Sequence, residues 1–514
     1  MSSRKIVMKN SMIGMIAQSC SMIIGFISQR FFLRYLGLEI QGINSVIIET
    51  LSFLAFAELG VGTAISFRLY KPLANNDKKE LTVLMQLYSK LYRIIGVVVF
   101  FIGLVLMFFL PIFINDATQS MSFIYQAYMI QLVATASSYF FAYKRSLIFV
   151  DQKQFVCKIV DISCNIVCSI LRVVVLIVFR SFHLYLLLQL IQSVASNVIL
   201  ACYCDKHYGF VKEKTNEKFT DVKGMLADMK NLLLGKVAGY VYSCTDNLVI
   251  STFIGVSVAG GFSTYRYVTN AVKNLMHNTT DSITATLGNN VQTRGVEANY
   301  EVLRKYSFVR FVVGNILVTG LCMCTDAFVG VAFGKEYIIS HWVLYFICAD
   351  MFVGIVYGPL NEYINVLGYF DMEKYINLGG AIINITLSIL LVQKMGIVGV
   401  LIGTVASQIF FMVAKSMLLF KRYFKSDEKL WEMMRVYTGY VVVVLLQNII
   451  LHFMRNILFF EKYTFIVFLV EGCISVFVSC VCVCIFYHKT KQFDFLVSII
   501  KNIICKFNKN KQDN

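Results

Sequence analysis

Charge is scarce in this sequence. Of its 514 residues, 15% are Asp, Glu, Lys or Arg, where a soluble domain carries about 25%. Proline is rarer, with three in the chain: Pro72, Pro111 and Pro359. No Pro/Ser/Gly linker or low-complexity tract separates one part from another. No Cys-x-x-Cys and no His-Glu-x-x-His occurs, which argues against zinc. Most of the 15 cysteines fall inside apolar runs. They read as small, weakly polar side chains at helix contacts rather than as a disulfide framework. No Ala-x-Ala site follows the basic start (Arg4, Lys5, Lys9), so the first apolar segment reads as an uncleaved helix.

What is present is hydrophobic residue, 58% of the chain, in long runs from end to end. A hydrocarbon core of about 30 Å takes about 20 apolar residues per helix. On that measure spans are expected at 10–29, 40–67, 94–114, 122–143, 159–179, 183–204, 232–253, 261–288, 308–332, 341–367, 375–393, 396–414, 436–454 and 463–487. The fold class is therefore an all-α polytopic membrane protein of about fourteen transmembrane helices.

The formal net charge is +17, and its placement gives the orientation. With the N-terminus inside, 35 of the 47 Lys and Arg fall on inner segments and 8 on outer ones. That bias places both termini in the cytoplasm and explains the positive charge without nucleic acid. Every outer loop is short, leaving no room for an extracellular catalytic domain. The inner segments 68–93 and 206–230 mix charge with large apolar residues and are expected to form amphipathic surface helices.

The two halves resemble each other. The segment from Tyr35 to Ser45 aligns with that from Phe253 to Ser263 at an offset of 218, matching both glycines (Gly37 with Gly255, Gly42 with Gly260) and the serine. Gly96 and Gly314 keep that offset. Leu190–Ser196 aligns with Leu401–Ser407 at an offset of 211. Six helices repeated in the same orientation give two lobes around a central cavity that rock against each other, with two further helices at the C-terminus. The expected division is an N-lobe at 1–205, a cytoplasmic linker at 206–231, a C-lobe at 232–420, and a final helix pair with a basic tail at 421–514.

Ionisable groups at membrane depth are costly and mark either function or structural pairing. Candidates are Glu49, Glu58, Asp161, Arg172, Lys236, Asp246, Lys273, Asp281, Arg310, Asp326, Asp350, Glu362 and Glu471. Arginine suits an anionic substrate, because its planar fork binds phosphate bidentately. Arg30 and Arg34 close the first span and Arg266 lies early in the eighth. With Lys273 they are candidates for holding a phosphate or pyrophosphate; anchoring to lipid headgroups is the competing role for Arg30 and Arg34. Asp246, Asp161 and Glu58 are candidate cavity acids for ion coupling. Gly358-Pro359 interrupts the tenth span and is a candidate hinge or a static kink.

An ordered set of stretches carries a family resemblance. It runs through Arg34-Tyr35-Leu36-Gly37-Leu38, Leu51-Ser52-Phe53-Leu54, Ala57-Glu58-Leu59-Gly60-Val61-Gly62 and Leu69-Tyr70-Lys71-Pro72-Leu73-Ala74. It continues through Thr245-Asp246-Asn247-Leu248-Val249-Ile250-Ser251, Tyr265-Arg266-Tyr267 and Gly396-Ile397-Val398-Gly399. The chain resembles the bacterial lipid-linked oligosaccharide flippases of the polysaccharide transporter family, from about residue 10 to about residue 420. Multidrug and toxin extrusion transporters and peptidoglycan lipid flippases share that superfamily.

The resemblance implies a flippase in the bacterial plasma membrane. It would move the sugar headgroup of an undecaprenyl-pyrophosphate oligosaccharide from the cytoplasmic to the outer face by alternating access. The product would be a surface polysaccharide such as O-antigen, capsule or lipopolysaccharide, with a polymerase and glycosyltransferases as candidate partners. No cofactor is implied; coupling to Na⁺, H⁺ or the membrane potential is. Arg266 lies where the peptidoglycan flippases carry an arginine in the eighth helix. Ser28 stands where they carry one in the first, which argues against lipid II as substrate; Arg30 is a candidate substitute. A cation-coupled multidrug exporter on the same scaffold is the alternative, and an integral-membrane glycosyltransferase or polymerase a further one.

Overall fold

In the computed structural model, residues 3–58, 61–213, 215, 242, 244–458 and 464–512 are described. Among them all regular structure is helical and no strand occurs. Half of the expected seventh span and most of the linker at 206–231 lie outside the described residues, as does Lys236. Among the described residues, ten helices are long and apolar enough to cross a membrane. The chain divides into two compact units, Met1–Ser263 and Thr264–Asn514.

The first unit opens with α1 (Ser3–Ser52), which Gly37 breaks into two at φ +80°. A 3₁₀ turn (Phe53–Glu58) leads to α2 (Val61–Ala74). The long α3 (Lys78–Met107) follows, with Asp77 capping it through Glu80 N at 3.1 Å. The inner segment at 78–93 is thus no separate surface helix: it runs unbroken into the third span. Next come α4 (Met121–Val150), α5 (Gln154–Val178) and α6 (Phe182–His207). Ser120 and Ser181 cap α4 and α6 through Phe123 N and Leu184 N, each satisfying a backbone donor that has no helical partner. α4 packs on α3 and α6, and α5 on α1 and α6. Buried Tyr88, Tyr92, Tyr128 and Leu132 fill the space between them. Tyr128 donates its hydroxyl proton to Gly103 O at 2.8 Å, so a phenol is buried without an unpaired polar atom.

The repeat proposed from sequence has a physical counterpart inside this first unit. Gly37 and Gly255 both adopt positive φ, +80° and +139°, which the absence of a Cβ makes inexpensive. Each breaks the chain just before a helix whose glycine lies against the other segment. A methyl added to Gly42 would sit 1.9 Å from Val256 O, and one added to Gly260 2.0 Å from Leu38 O. Leu38 and Val256 are themselves related by the offset of 218. The contact is therefore reciprocal: each glycine meets the repeat-mate of the residue the other meets. Ser45 Oγ donates to Gln41 O and Ser263 Oγ to Ala259 O, both at 2.8 Å and again repeat-mates. Small residues let helix backbones approach in this way where lipid supplies no hydrophobic drive.

In the second unit α7 (Val256–Thr293), which begins in the first, leads to α8 (Val296–Ala332), α9 (His341–Leu367), α10 (Phe370–Met395) and α11 (Ile397–Leu419). α12 (Asp427–Leu458), α13 (Phe465–Tyr487) and α14 (Lys491–Gln512) complete the chain. α10 packs on α11, α9 on α8 and α11, and α13 on α8. Gly314 of α8 lies against Ile355 of α9, as its repeat-mate Gly96 of α3 lies against α4 at Ala136 O and Phe140. Phe311 of α8 stacks on Tyr440 of α12 at 4.0 Å, and Tyr487 closes on both rings. Gln447 of α12 binds Asn315 and Thr319 of α8, so the last helices share polar contacts as well as apolar ones with the rest of the unit.

Candidate functional site

The first unit brings together a cationic group that sequence showed only in part. Arg34 follows Arg30 by one helical turn on α1, and both side chains are exposed. The Arg34 guanidinium lies 6.0 Å from the ring centroid of Tyr35, and Arg180 lies 5.6 Å from the same ring. Arg180 terminates α5 with a left-handed backbone, φ +48°, a costly conformation for a side chain of that size. Among the described residues neither Arg34 nor Arg180 meets a carboxylate. The near carboxylate, Glu39, is engaged elsewhere: it accepts from Thr118 N at 2.7 Å, Thr118 Oγ1 at 2.6 Å and Gln119 N at 3.1 Å.

Arg172 sits deeper on α5. Its Nη2 donates to Ser169 Oγ at 2.8 Å, Gln192 Oε1 at 2.9 Å and Asn165 Oδ1 at 3.3 Å, and its guanidinium lies 5.4 Å from the Tyr185 ring. A cation at membrane depth is thus held by neutral dipoles rather than by an acid. In the sequence, Arg180 lies between two apolar runs and reads as an outer-loop charge. The signal for it was the Arg34-Tyr35 pair in one apolar turn, which nothing local connects to residue 180. Ser28 is buried, and its Oγ has no partner among the described residues.

In the second unit, Arg266 and Lys273 are seven residues apart on α7, hence on one helical face. Arg266 is half-buried and Lys273 exposed. Tyr265, beside Arg266, is fully buried and donates to Asp326 Oδ1 at 2.6 Å. That bond fixes the start of α7 against α8.

The candidate acids differ in their surroundings. Asp161 is paired with both terminal nitrogens of Arg145. Glu58 accepts from Tyr92 OH at 3.3 Å. Asp246 is buried, next to Asn247, whose amide donates to Glu49 Oε1 at 3.0 Å and to Ser263 Oγ at 2.8 Å. No group of three or more His, Cys, Asp or Glu side chains among the described residues is arranged to hold a metal ion.

Gly358-Pro359 lies inside a continuous α9 and is fastened in place. Proline has no N–H for Ile355 O, and Arg310 Nε donates to that oxygen at 3.2 Å. Glu362 Oε1 stands 3.9 Å from Arg310 Nη1. One turn on, Lys415 Nζ of α11 donates to Asn361 Oδ1 at 2.7 Å and to Glu373 Oε1 at 2.9 Å.

Comparison with known proteins agrees with this architecture. A model of the polysaccharide biosynthesis protein family matches residues 7–279, more than half of the chain. The chain belongs to the polysaccharide biosynthesis protein family. A curated relative is the probable low-salt glycan biosynthesis flippase Agl15 of Haloferax volcanii, 21% identical over 207 residues, which are 39% of this chain and 43% of that protein. The match thus spans less than half the length of that relative. Among solved structures, the lipid II flippase MurJ in an inward closed conformation aligns over 92% of this chain and 98% of its own, with a TM-score of 0.67 and 15% identity. An inward-facing multidrug resistance MATE transporter of the MOP superfamily covers 80% of this chain and 96% of its own, with a TM-score of 0.61 and 12% identity. The fold of this family member is therefore that of the MurJ and MATE proteins, and it is a multi-pass membrane protein.

Proposed function

We propose that the protein is a flippase that carries a pyrophosphate-linked oligosaccharide on a polyprenyl lipid from the cytoplasmic to the outer face of a bacterial plasma membrane, with both termini in the cytoplasm. The observation that carries this reading is the pair Arg34 and Arg180 on Tyr35. Two exposed guanidiniums on one ring, neither meeting a carboxylate among the described residues, leave their donors available to an anion. Pyrophosphate matches their bidentate geometry. Arg30 would add a cationic contact to the same headgroup, and in the second unit Arg266 and Lys273 are separate candidates for holding a phosphate. An inside-negative potential favours moving an anion outward by about 2.3 kcal/mol per charge per 100 mV. Family membership and the glycan biosynthesis flippase among the relatives support the substrate class.

The candidate acids for ion coupling are Asp246, Asp161 and Glu58, of which Asp161 is bonded to Arg145 and Glu58 to Tyr92. Buried Asp246 beside the Asn247–Glu49 bond is also the observation that favours a second reading, a cation-coupled drug exporter like the MATE neighbours.

Mass spectrometry of lipid extracts from cells lacking the gene tests the proposal. Accumulation of a complete polyprenyl-pyrophosphate oligosaccharide, relieved by the wild-type gene, supports it. An intact surface glycan with no accumulated intermediate overturns it in favour of drug export.

A further inference from the structure

We propose that the second unit contains a proton-binding site on Glu471, built where α12 and α13 meet α8 and reached from solvent through His341. Asp326 of α8 is completely buried, and it is fully satisfied as an anion. Its Oδ1 accepts from Tyr265 OH at 2.6 Å, and its Oδ2 lies 3.0 Å from Arg455 Nη1 and 2.6 Å from His341 Nδ1. Glu471 of α13 is 1% exposed. It accepts from Arg455 Nε at 3.0 Å through Oε1, whereas Oε2 is buried with no partner among the described residues.

Two buried carboxylates therefore share one arginine. With His341 neutral the cluster is one proton short of neutrality, in a region where an uncompensated charge is expensive. Asp326 is a poor place for that proton, because taking it would displace Tyr265, His341 or Arg455. Glu471 Oε2 is the vacant position, and an unpaired neutral carboxyl oxygen costs less than an unpaired ionised one.

The surroundings are named element by element. α7 contributes Tyr265, α8 Asp326 and Cys324, α9 His341 and Tyr345, α12 His452 and Arg455, and α13 Glu471 and Cys473. The turn before α9 carries Lys335 and Glu336, and its Ile339 N donates to Tyr265 OH at 3.3 Å. His452 is bonded to Tyr345 OH at 2.6 Å, and its ring centroid lies 6.3 Å from that of His341. His341 is the opening to solvent: its side chain is 38% exposed, against 0%, 9% and 1% for Asp326, Arg455 and Glu471. Arg455 ties α12 to α8 through Asp326 and to α13 through Glu471. A proton taken from water by Glu471 removes the second charge pair and leaves the first, so uptake loosens α13 while α12 stays fastened.

The test is infrared difference spectroscopy of the full-length protein in lipid nanodiscs, acidic buffer minus alkaline buffer, followed by transfer into D₂O. The expected result is a carboxylic-acid carbonyl band that is lost in Glu471→Gln and retained in a variant of the exposed Glu301. In His341→Gln the band should persist while its exchange with deuterium slows by about tenfold or more. The isosteric glutamine still accepts from Arg455, so Glu471→Gln is expected to fold. If it does not, His341→Gln decides, since its side chain lies at the surface. A wild-type protein without the band, a band that survives in Glu471→Gln, or unchanged exchange in His341→Gln overturns the proposal.

Discussion

Arg310 Nε donates to Ile355 O, the carbonyl that Pro359 leaves without a helical partner. Gly358 makes the bond geometrically feasible, because a methyl there would sit 2.2 Å from Arg310 Nη2. Three residues on two helices thus form one device, in which the proline frees an acceptor, the arginine fills it and the glycine admits the arginine. Arg310→Met should leave the carbonyl unpaired and cost about 1–3 kcal/mol. Pro359→Ala restores an N–H to the helix, so in that background Arg310→Met should cost less. Thermal unfolding of the four proteins in detergent measures the coupling. Equal losses in both backgrounds would mean that Arg310 stabilises α9 by some other contact.

Gly42 and Gly260 lie against backbone oxygens, which cannot swing aside as a side chain can. Gly42→Ala and Gly260→Ala should therefore each impair folding or export, by about 1–3 kcal/mol in stability. Because the contact is reciprocal, the two losses should be similar. Gly14→Ala is the control, since nothing lies within 4 Å of the added methyl. Membrane abundance and melting temperature report the outcome. A tolerated Gly42→Ala beside a damaging Gly260→Ala would show that the contact is not reciprocal in the working protein.

The repeat was legible because its signal is local: glycines at fixed spacing, whose backbone conformations and close contacts fall on matched positions. The helical class was legible for the same reason, since hydropathy is a property of short windows. Pairing between distant residues was not. Arg455 reads as an outer-segment charge, yet it is buried between Asp326 and Glu471. Its neighbours in sequence carry no trace of partners 129 and 16 residues away. Arg180 likewise reads as a loop charge between two apolar runs, and only the folded chain brings it to Tyr35. Pro359 marked a special place in α9, but the residue that fastens it lies 49 positions earlier. The continuity of α3 from Lys78 was hidden because its charged first turns look like a surface loop.

Arg34→Ala and Arg180→Ala should each reduce delivery of lipid-linked oligosaccharide to the outer face by about tenfold or more, the worth of one charge-assisted bond of about 1.5–3 kcal/mol. Lysine at either position should recover part of the activity, because it restores charge but not the planar fork. Tyr35→Leu should act in the same direction as both, by releasing the two guanidiniums from a shared ring. Protease accessibility or external labelling of the glycan in inverted and right-side-out vesicles measures delivery. Full activity in Arg34→Ala/Arg180→Ala would remove this pair from the substrate path and leave Arg266 and Lys273 to be tested next.

The last two membrane helices are bonded into the second unit rather than appended to it. Gln447 of α12 reaches Asn315 and Thr319, Tyr300 OH donates to Glu432 Oε2 at 2.6 Å, and Arg304 pairs with Glu432 at 2.7 Å. Removing residues 427–514 would strip these partners from Asn315 and Thr319 of α8 and leave Asp326 with Tyr265 and His341 but without the Arg455 charge. Each unpaired polar group in hydrocarbon costs several kcal/mol, and a buried carboxylate that loses its arginine adds to that. The truncated chain should therefore fail to accumulate in the membrane. Asn315→Leu, Thr319→Val and Asp326→Leu together should recover part of its abundance, because they remove the groups that the truncation strands. Immunoblotting of membrane fractions with full-length and truncated chains compares the two. Normal accumulation of the unmodified truncation would show that α8 finds other partners once α12 and α13 are gone.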